Sequence, residues 1–88
     1  MTSKERARLK SLASTADTIV QIGKSGITEN VVASVDAALT ARELVKGKVL
    51  ESSMLTAREA CEQLAEALGA EAVQAIGTKF VLYRRKPE

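Results

Sequence analysis

The residues whose types and spacing promise chemistry begin with Gly23-Lys24-Ser25-Gly26, a short run between a β-branched segment and one with helical spacing. Two glycines let the main chain come close to a bound group, and a lysine beside a helix start favours an anion. The run is too short for a nucleotide-hydrolysing phosphate loop, which needs four residues between its glycines and a lysine directly after the second, and it is not GxGxxG. By itself it reads equally well as a tight turn that uses glycine for its dihedrals, but a turn has no need of a charge such as Lys24 at its tip. The remaining candidates are cations too. Lys46 and Lys48 alternate along one segment, Lys79, Arg84, Arg85 and Lys86 crowd the C-terminal end, and Lys4, Arg6, Arg8 and Lys10 crowd the N-terminal one.

Catalytic chemistry finds little support. There is no histidine, so the commonest general base and the commonest metal ligand are both missing. Ser25 has no imidazole to activate it, and the single cysteine, Cys61, falls on an apolar helical stripe with no base beside it. Glu59, Glu62 and Glu66 share the polar face of one helix and read as a solvated acidic surface. An enzyme is not expected, and neither is a metal, a cofactor or a small-molecule substrate. A GxxG loop is also the device by which KH domains clamp a nucleic-acid backbone, although there it joins two helices.

The charge is distributed unevenly. Residues 1–10 carry four bases against Glu5, and residues 79–88 carry four against Glu88, +3 at each end. Residues 11–78 hold five bases and nine acids, −4, which brings the chain to its formal +2. If the ends meet in the fold, they make one positive face opposite a negative one, suited to a polyanion. No apolar run is long enough to span a membrane, and the N-terminus lacks the apolar stretch of a signal peptide, so a cytoplasmic protein is expected.

Eighty-eight residues suit one small domain, and of the 45% hydrophobic residues fourteen are alanines, so the core must be thin and closely spaced. Leu9, Leu12 and Ala13 on one side of a wheel predict a helix from Ser3 to about Ala13, with bases on both flanks. Thr18–Ile22 is β-branched and ends at Gly23, a buried strand. Thr28 is placed to cap a helix over Glu29–Arg42 whose apolar stripe is Val31, Val32, Val35, Ala38 and Leu39. Leu44–Leu50 alternates, with Val45, Gly47 and Val49 inward and Lys46 and Lys48 outward. A capping box at Thr56–Glu59 opens a third helix that ends at Gly69. Strands over Ala72–Ile76 and Lys79–Arg84 are joined by Gly77-Thr78, which fits a type II′ hairpin turn. The order is α-β-α-β-α-β-β, an α/β domain with a four-stranded mixed sheet and three helices. The helical connections predict strands one, two and three as parallel neighbours, with the fourth as an antiparallel hairpin partner. Phe80 and Tyr83 fall on opposite faces of the last strand, which argues against one base-stacking platform.

The run Ile22-Gly23-Lys24-Ser25-Gly26-Ile27-Thr28, then Glu43-Leu44-Val45-Lys46-Gly47-Lys48-Val49, then Ile76-Gly77-Thr78-Lys79-Phe80-Val81-Leu82-Tyr83-Arg84, together with the opening Thr2–Ala13 helix, resembles the CRM domain. This is the chloroplast RNA splicing and ribosome maturation module, here in its stand-alone bacterial YhbY-like form, and the match covers essentially the whole chain, residues 1–88. The resemblance implies a fold similar to the C-terminal domain of translation initiation factor three. It also implies a ribosome-associated RNA-binding protein that meets large-subunit ribosomal RNA in pre-50S particles; apart from the resemblance, a monomer with no membrane partner is expected. Carried over by position, the loop is Gly23, Lys24, Ser25 and Gly26, and the basic surface takes in Lys4, Arg8, Lys46, Lys48, Lys79, Arg84 and Arg85. The alternative function is a protein-interaction adaptor on the ribosome or an assembly factor, with incidental RNA contact. One departure is Gly47, where the family more often has a β-branched or larger apolar residue, and it bears on the stiffness of that strand.

Overall fold

Capping chemistry and hydrophobic periodicity decide where the elements start and stop. The computed structural model describes residues 2–14 and 18–85, so Lys86 and Glu88 lie outside the described residues. The elements are α1 (Ser3–Ser14), β1 (Val20–Ile22), α2 (Glu29–Arg42), β2 (Leu44–Val49), a short 3-10 turn (Glu51–Ser53), α3 (Ala57–Leu68), β3 (Glu71–Ile76) and β4 (Lys79–Tyr83). Thr28 Oγ1 accepts from Val31 N at 3.2 Å and opens α2. At α3 the capping box is complete: Thr56 Oγ1 accepts from Glu59 N at 3.1 Å, and Glu59 Oε1 accepts from Thr56 N at 3.4 Å. Gly77 has φ +60° while Thr78 stays at negative φ, as a type II′ hairpin requires and a type I′ does not.

The sheet order is β1-β2-β4-β3, with β1 parallel to β2 and β4 antiparallel to both β2 and β3. This corrects the expectation that strands two and three are neighbours. The reason lies in β4, whose Phe80, Val81 and Leu82 are all buried, so it needs cover on both faces and a strand on each side. β3, with Glu71, Ala72, Ala75 and Ile76 exposed, tolerates the edge. The two-residue turn sets Ile76 opposite Lys79, and a bulge between Ala72 and Gln74 then shifts the alternation of β3 for Glu71 and Ala72.

Three layers result. On one face α2 and α3 cover Val20, Ile22, Val45, Val49, Phe80 and Leu82, joined by Val35, Leu39, Ala60 and Leu64 of the helices. On the other face α1 alone covers the sheet, through Leu9 and Ala13 against Val73 and Val81, with Leu44 and Tyr83 at the border. Leu12 is 51% exposed rather than part of the seam. Between small partners α1 packs on a stripe one residue wide, and Leu12 falls to its side. This second core is correspondingly thin, with four buried residues among those described and Leu44 and Tyr83 packed against them. β1 is shorter than the Thr18–Ile22 expected, although Ile19 N still donates to Lys46 O at 3.1 Å.

Candidate nucleic-acid interface

The Gly23–Gly26 loop is a turn closed by one hydrogen bond, Gly26 N to Gly23 O at 2.9 Å. Gly26 sits at φ +69°, where a side chain strains the backbone, whereas Gly23 has ordinary dihedrals and only van der Waals space beside it, with Leu50 Cδ1 3.7 Å from a notional Cβ. Lys24 and Ser25 are exposed, and their N–H groups have no backbone acceptor among the described residues. The α2 N-terminus is partly occupied: Thr28 caps it and Glu29 stands in its first turn. The anion-attracting parts of the loop are therefore Lys24 and the free main-chain donors of its tip.

The register of the sheet brings further cations to the same end. Ile22 pairs with Val49 and Gln21 with Lys48, and Val49 N donates to Thr78 O at 2.7 Å, so the loop, Lys48 and the β3–β4 turn share one edge. That last bond also makes Lys48 and Lys79 a non-hydrogen-bonded antiparallel pair, the kind whose side chains stand closest, about 4.5 Å apart at Cα. Two like charges directly opposite destabilise a sheet. Neither lysine has an acidic partner among the described residues. Lys46 lies on the same face two residues back, half-buried rather than fully outward, because α1 passes over it: its Nζ donates to Ala13 O at 3.3 Å.

At the opposite end of this face, roughly 13 Å along β4 at the usual rise of a strand, Lys4, Arg8 and Arg85 line a concavity of about 620 Å³ with Tyr83 and Leu9. The N-terminal and C-terminal basic segments do meet. Lys10 is the residue that sequence reasoning did not count as a site: it lines a smaller hollow with Lys46 and Lys79. Its signal was its place three residues before Ala13, on the border of the α1 stripe.

Arg84 stands apart from the other candidates. It points to the α2–α3 side, where its guanidinium holds Asp36 Oδ1 at 2.8 Å and donates to Leu68 O at 3.1 Å and Thr40 Oγ1 at 3.0 Å. Its side chain is 21% exposed and its donors are spent inside the fold. Phe80 is buried under α2 and α3 while Tyr83 borders α1, so the two rings lie on opposite faces as their spacing implied. Cys61 is buried with Sγ 3.6 Å from Val81 O, and burial, with Glu62 adding to it, pushes the thiol up to about 11. At neutral pH it is a packed thiol rather than a nucleophile. Among the described residues no acid, cysteine and histidine cluster suits a metal, and no helix is long and apolar enough to cross a membrane.

A small α/β domain with cations gathered on one sheet face and a GxxG turn at its edge has the charge distribution that suits a polyanion. The chain is a member of the CRS1 / YhbY (CRM) domain family, whose sequence model matches residues 1–84. It is 34% identical over its whole length to Probable RNA-binding protein YqeI of Bacillus subtilis, covering 92% of that protein. It is also 34% identical to an RNA-binding protein of Haemophilus influenzae, covering 89% of it. Among solved structures it is similar to that of hypothetical protein SAV1595 from Staphylococcus aureus, described there as a candidate RNA-binding protein. That likeness has a TM-score of 0.79 and 40% identity, over all of this chain and 92% of the other.

Proposed function

We propose that this protein binds structured ribosomal RNA of large-subunit precursors in the cytoplasm and assists their assembly without catalysing a reaction. The observation that carries this reading is the unpaired, directly opposed Lys48–Lys79 pair at the sheet end that also holds the Lys24 turn. Such a pair weakens the free fold and is relieved by an anion laid across it. The RNA-binding names of the relatives favour RNA as that polyanion. The backbone of the turn and Lys24 contact phosphates, Lys46, Lys48 and Lys79 extend the track across the sheet, and Lys4, Arg8 and Arg85 receive its far end. These are position-fixing contacts that read shape before sequence.

The test is the salt dependence of binding to a large-subunit RNA fragment. With about five phosphates contacted, log K falls with log salt at a slope of roughly −3.5 to −4.5, and Lys24→Ala makes it shallower by about one unit. A slope near zero sinks the mechanism. In lysate, co-sedimentation with large-subunit particles that is lost after RNase treatment supports the ribosomal part of the reading. Co-sedimentation that survives RNase transfers it to a protein-docking adaptor.

A further inference from the structure

Beneath the C-terminal half of α1 lies a hollow of about 220 Å³ lined by Lys10, Lys46, Lys79, Gln74, Ile76 and Val81. Three elements each contribute one ammonium group: α1, β2 and β4. Lys46 and Lys79 are diagonal neighbours on one sheet face, since Lys46 is opposite Val81, and such residues lie about 7–8 Å apart. Lys46 is not a loose surface lysine. One of its three donors is fixed on Ala13 O in the last turn of α1, where the negative end of the helix favours it, and this aims the head group into the hollow. No acidic side chain lines the hollow, and Gln74 supplies its one neutral polar side chain. Three cations are thus gathered around one small space with nothing among the described residues to neutralise them.

The size of the space decides what it takes. A pocket for a nucleoside or drug-sized group is about 300–1,000 Å³, whereas 220 Å³ holds a phosphate with a few waters at roughly 30 Å³ each. Ile76, 65% exposed at the rim, offers an apolar surface beside the anion but no ring on which a base would stack. Resting on the RNA-binding reading above, we infer that this hollow holds one backbone phosphodiester of the bound RNA, shared by Lys10, Lys46 and Lys79. It is a fixed point separate from the GxxG turn.

The experiment counts phosphates. The salt slope of binding is measured for the wild type, for Lys24→Ala and for the triple variant Lys10→Gln, Lys46→Gln, Lys79→Gln, using an RNA hairpin with a 5′-hydroxyl end so that every phosphate is internal. Three lysines on one phosphate predict that the triple variant loses about 0.7–0.9 of slope, the same as Lys24→Ala, because the slope counts phosphates rather than lysines. A loss of about 1.4 or more, or no loss, overturns the shared site. If the triple variant does not fold, as judged by its thermal melt, the double variant Lys10→Gln, Lys79→Gln reads slope and affinity together: one shared phosphate, still held by Lys46, keeps the wild-type slope while affinity at fixed salt falls, whereas a slope loss of about 1.4–1.8 (two independent contacts) or no change in either quantity overturns the shared site. A wild type that fails to bind RNA sinks the function proposed above. A wild type and Lys24→Ala that behave as stated beside a discordant triple variant sink the shared site alone.

Discussion

Lys48, Lys79 and Cys61 show how far a single side chain is governed by its neighbours. The two lysines are unexceptional in the sequence, and strand register alone sets them face to face. Cys61 is their inverse, a reactive group silenced by burial. Its thiol, 9.0 in the open and pushed up to about 11 here, keeps its proton in the folded chain while the unfolded chain begins to lose it above pH 9. Ionisation then favours the unfolded state, so stability contributed by the protonated thiol is full below pH 9 and is lost as pH rises towards 11. The wild type should therefore lose about 2 kcal/mol relative to Cys61→Ala between pH 8 and pH 11. Denaturant melts of both proteins across that range check it, and parallel curves would show that Cys61 does not titrate differently on folding.

At the scale of elements, β2 and β4 have exchanged bulk. Gly47 and Phe80 are direct partners in the ladder, and a Cβ on Gly47 would clash with the Phe80 ring at Cζ and both Cε atoms. The ring lies against the glycine and occupies the volume that a side chain there would take, which leaves β2 supported despite its glycine. Gly47→Val is expected to cost about 1–3 kcal/mol by overpacking. Combined with Phe80→Leu, which makes room, it should cost less than the two single changes together by about 0.5–3 kcal/mol. Strict additivity in chemical denaturation would show that the ring does not stand in for the missing side chain. Lys46 and Lys48 flank this glycine on the opposite face of the strand.

Across the whole molecule, the sheet separates a cationic face from an acidic helical layer, where Glu29, Glu59, Glu62 and Glu66 are exposed. A field divided in this way orients an approaching polyanion before contact. Arg84 belongs to the architecture of that division. It fastens the end of β4 to Asp36 and Thr40 of α2 and to the Leu68 carbonyl of α3. Arg84→Gln should lower stability by about 1–3 kcal/mol, the cost of leaving such acceptors unpaired, and leave the salt slope of RNA binding as in the wild type. Thermal melts and the binding series measure the two effects, and a slope shallower by about one unit would return Arg84 to the interface.

Much of this protein was legible along its chain. The capping box at Thr56–Glu59, the Thr28 cap, the Gly77-Thr78 turn and the apolar stripes of α2 and α3 are local signals, decided by residues within one or two turns of each other. The uneven charge and the loop motif were also readable, because composition and short spacing carry them. Strand order was not: β4 lies between β2 and β3 because Phe80, Val81 and Leu82 need burial on both sides, a demand met only across the sheet. The grouping of Lys10, Lys46 and Lys79, the opposition of Lys48 to Lys79 and the withdrawal of Arg84 into the fold depend in the same way on register and layer. Those are relations between residues far apart in sequence, fixed when hydrophobic faces are buried together, and no local pattern encodes them.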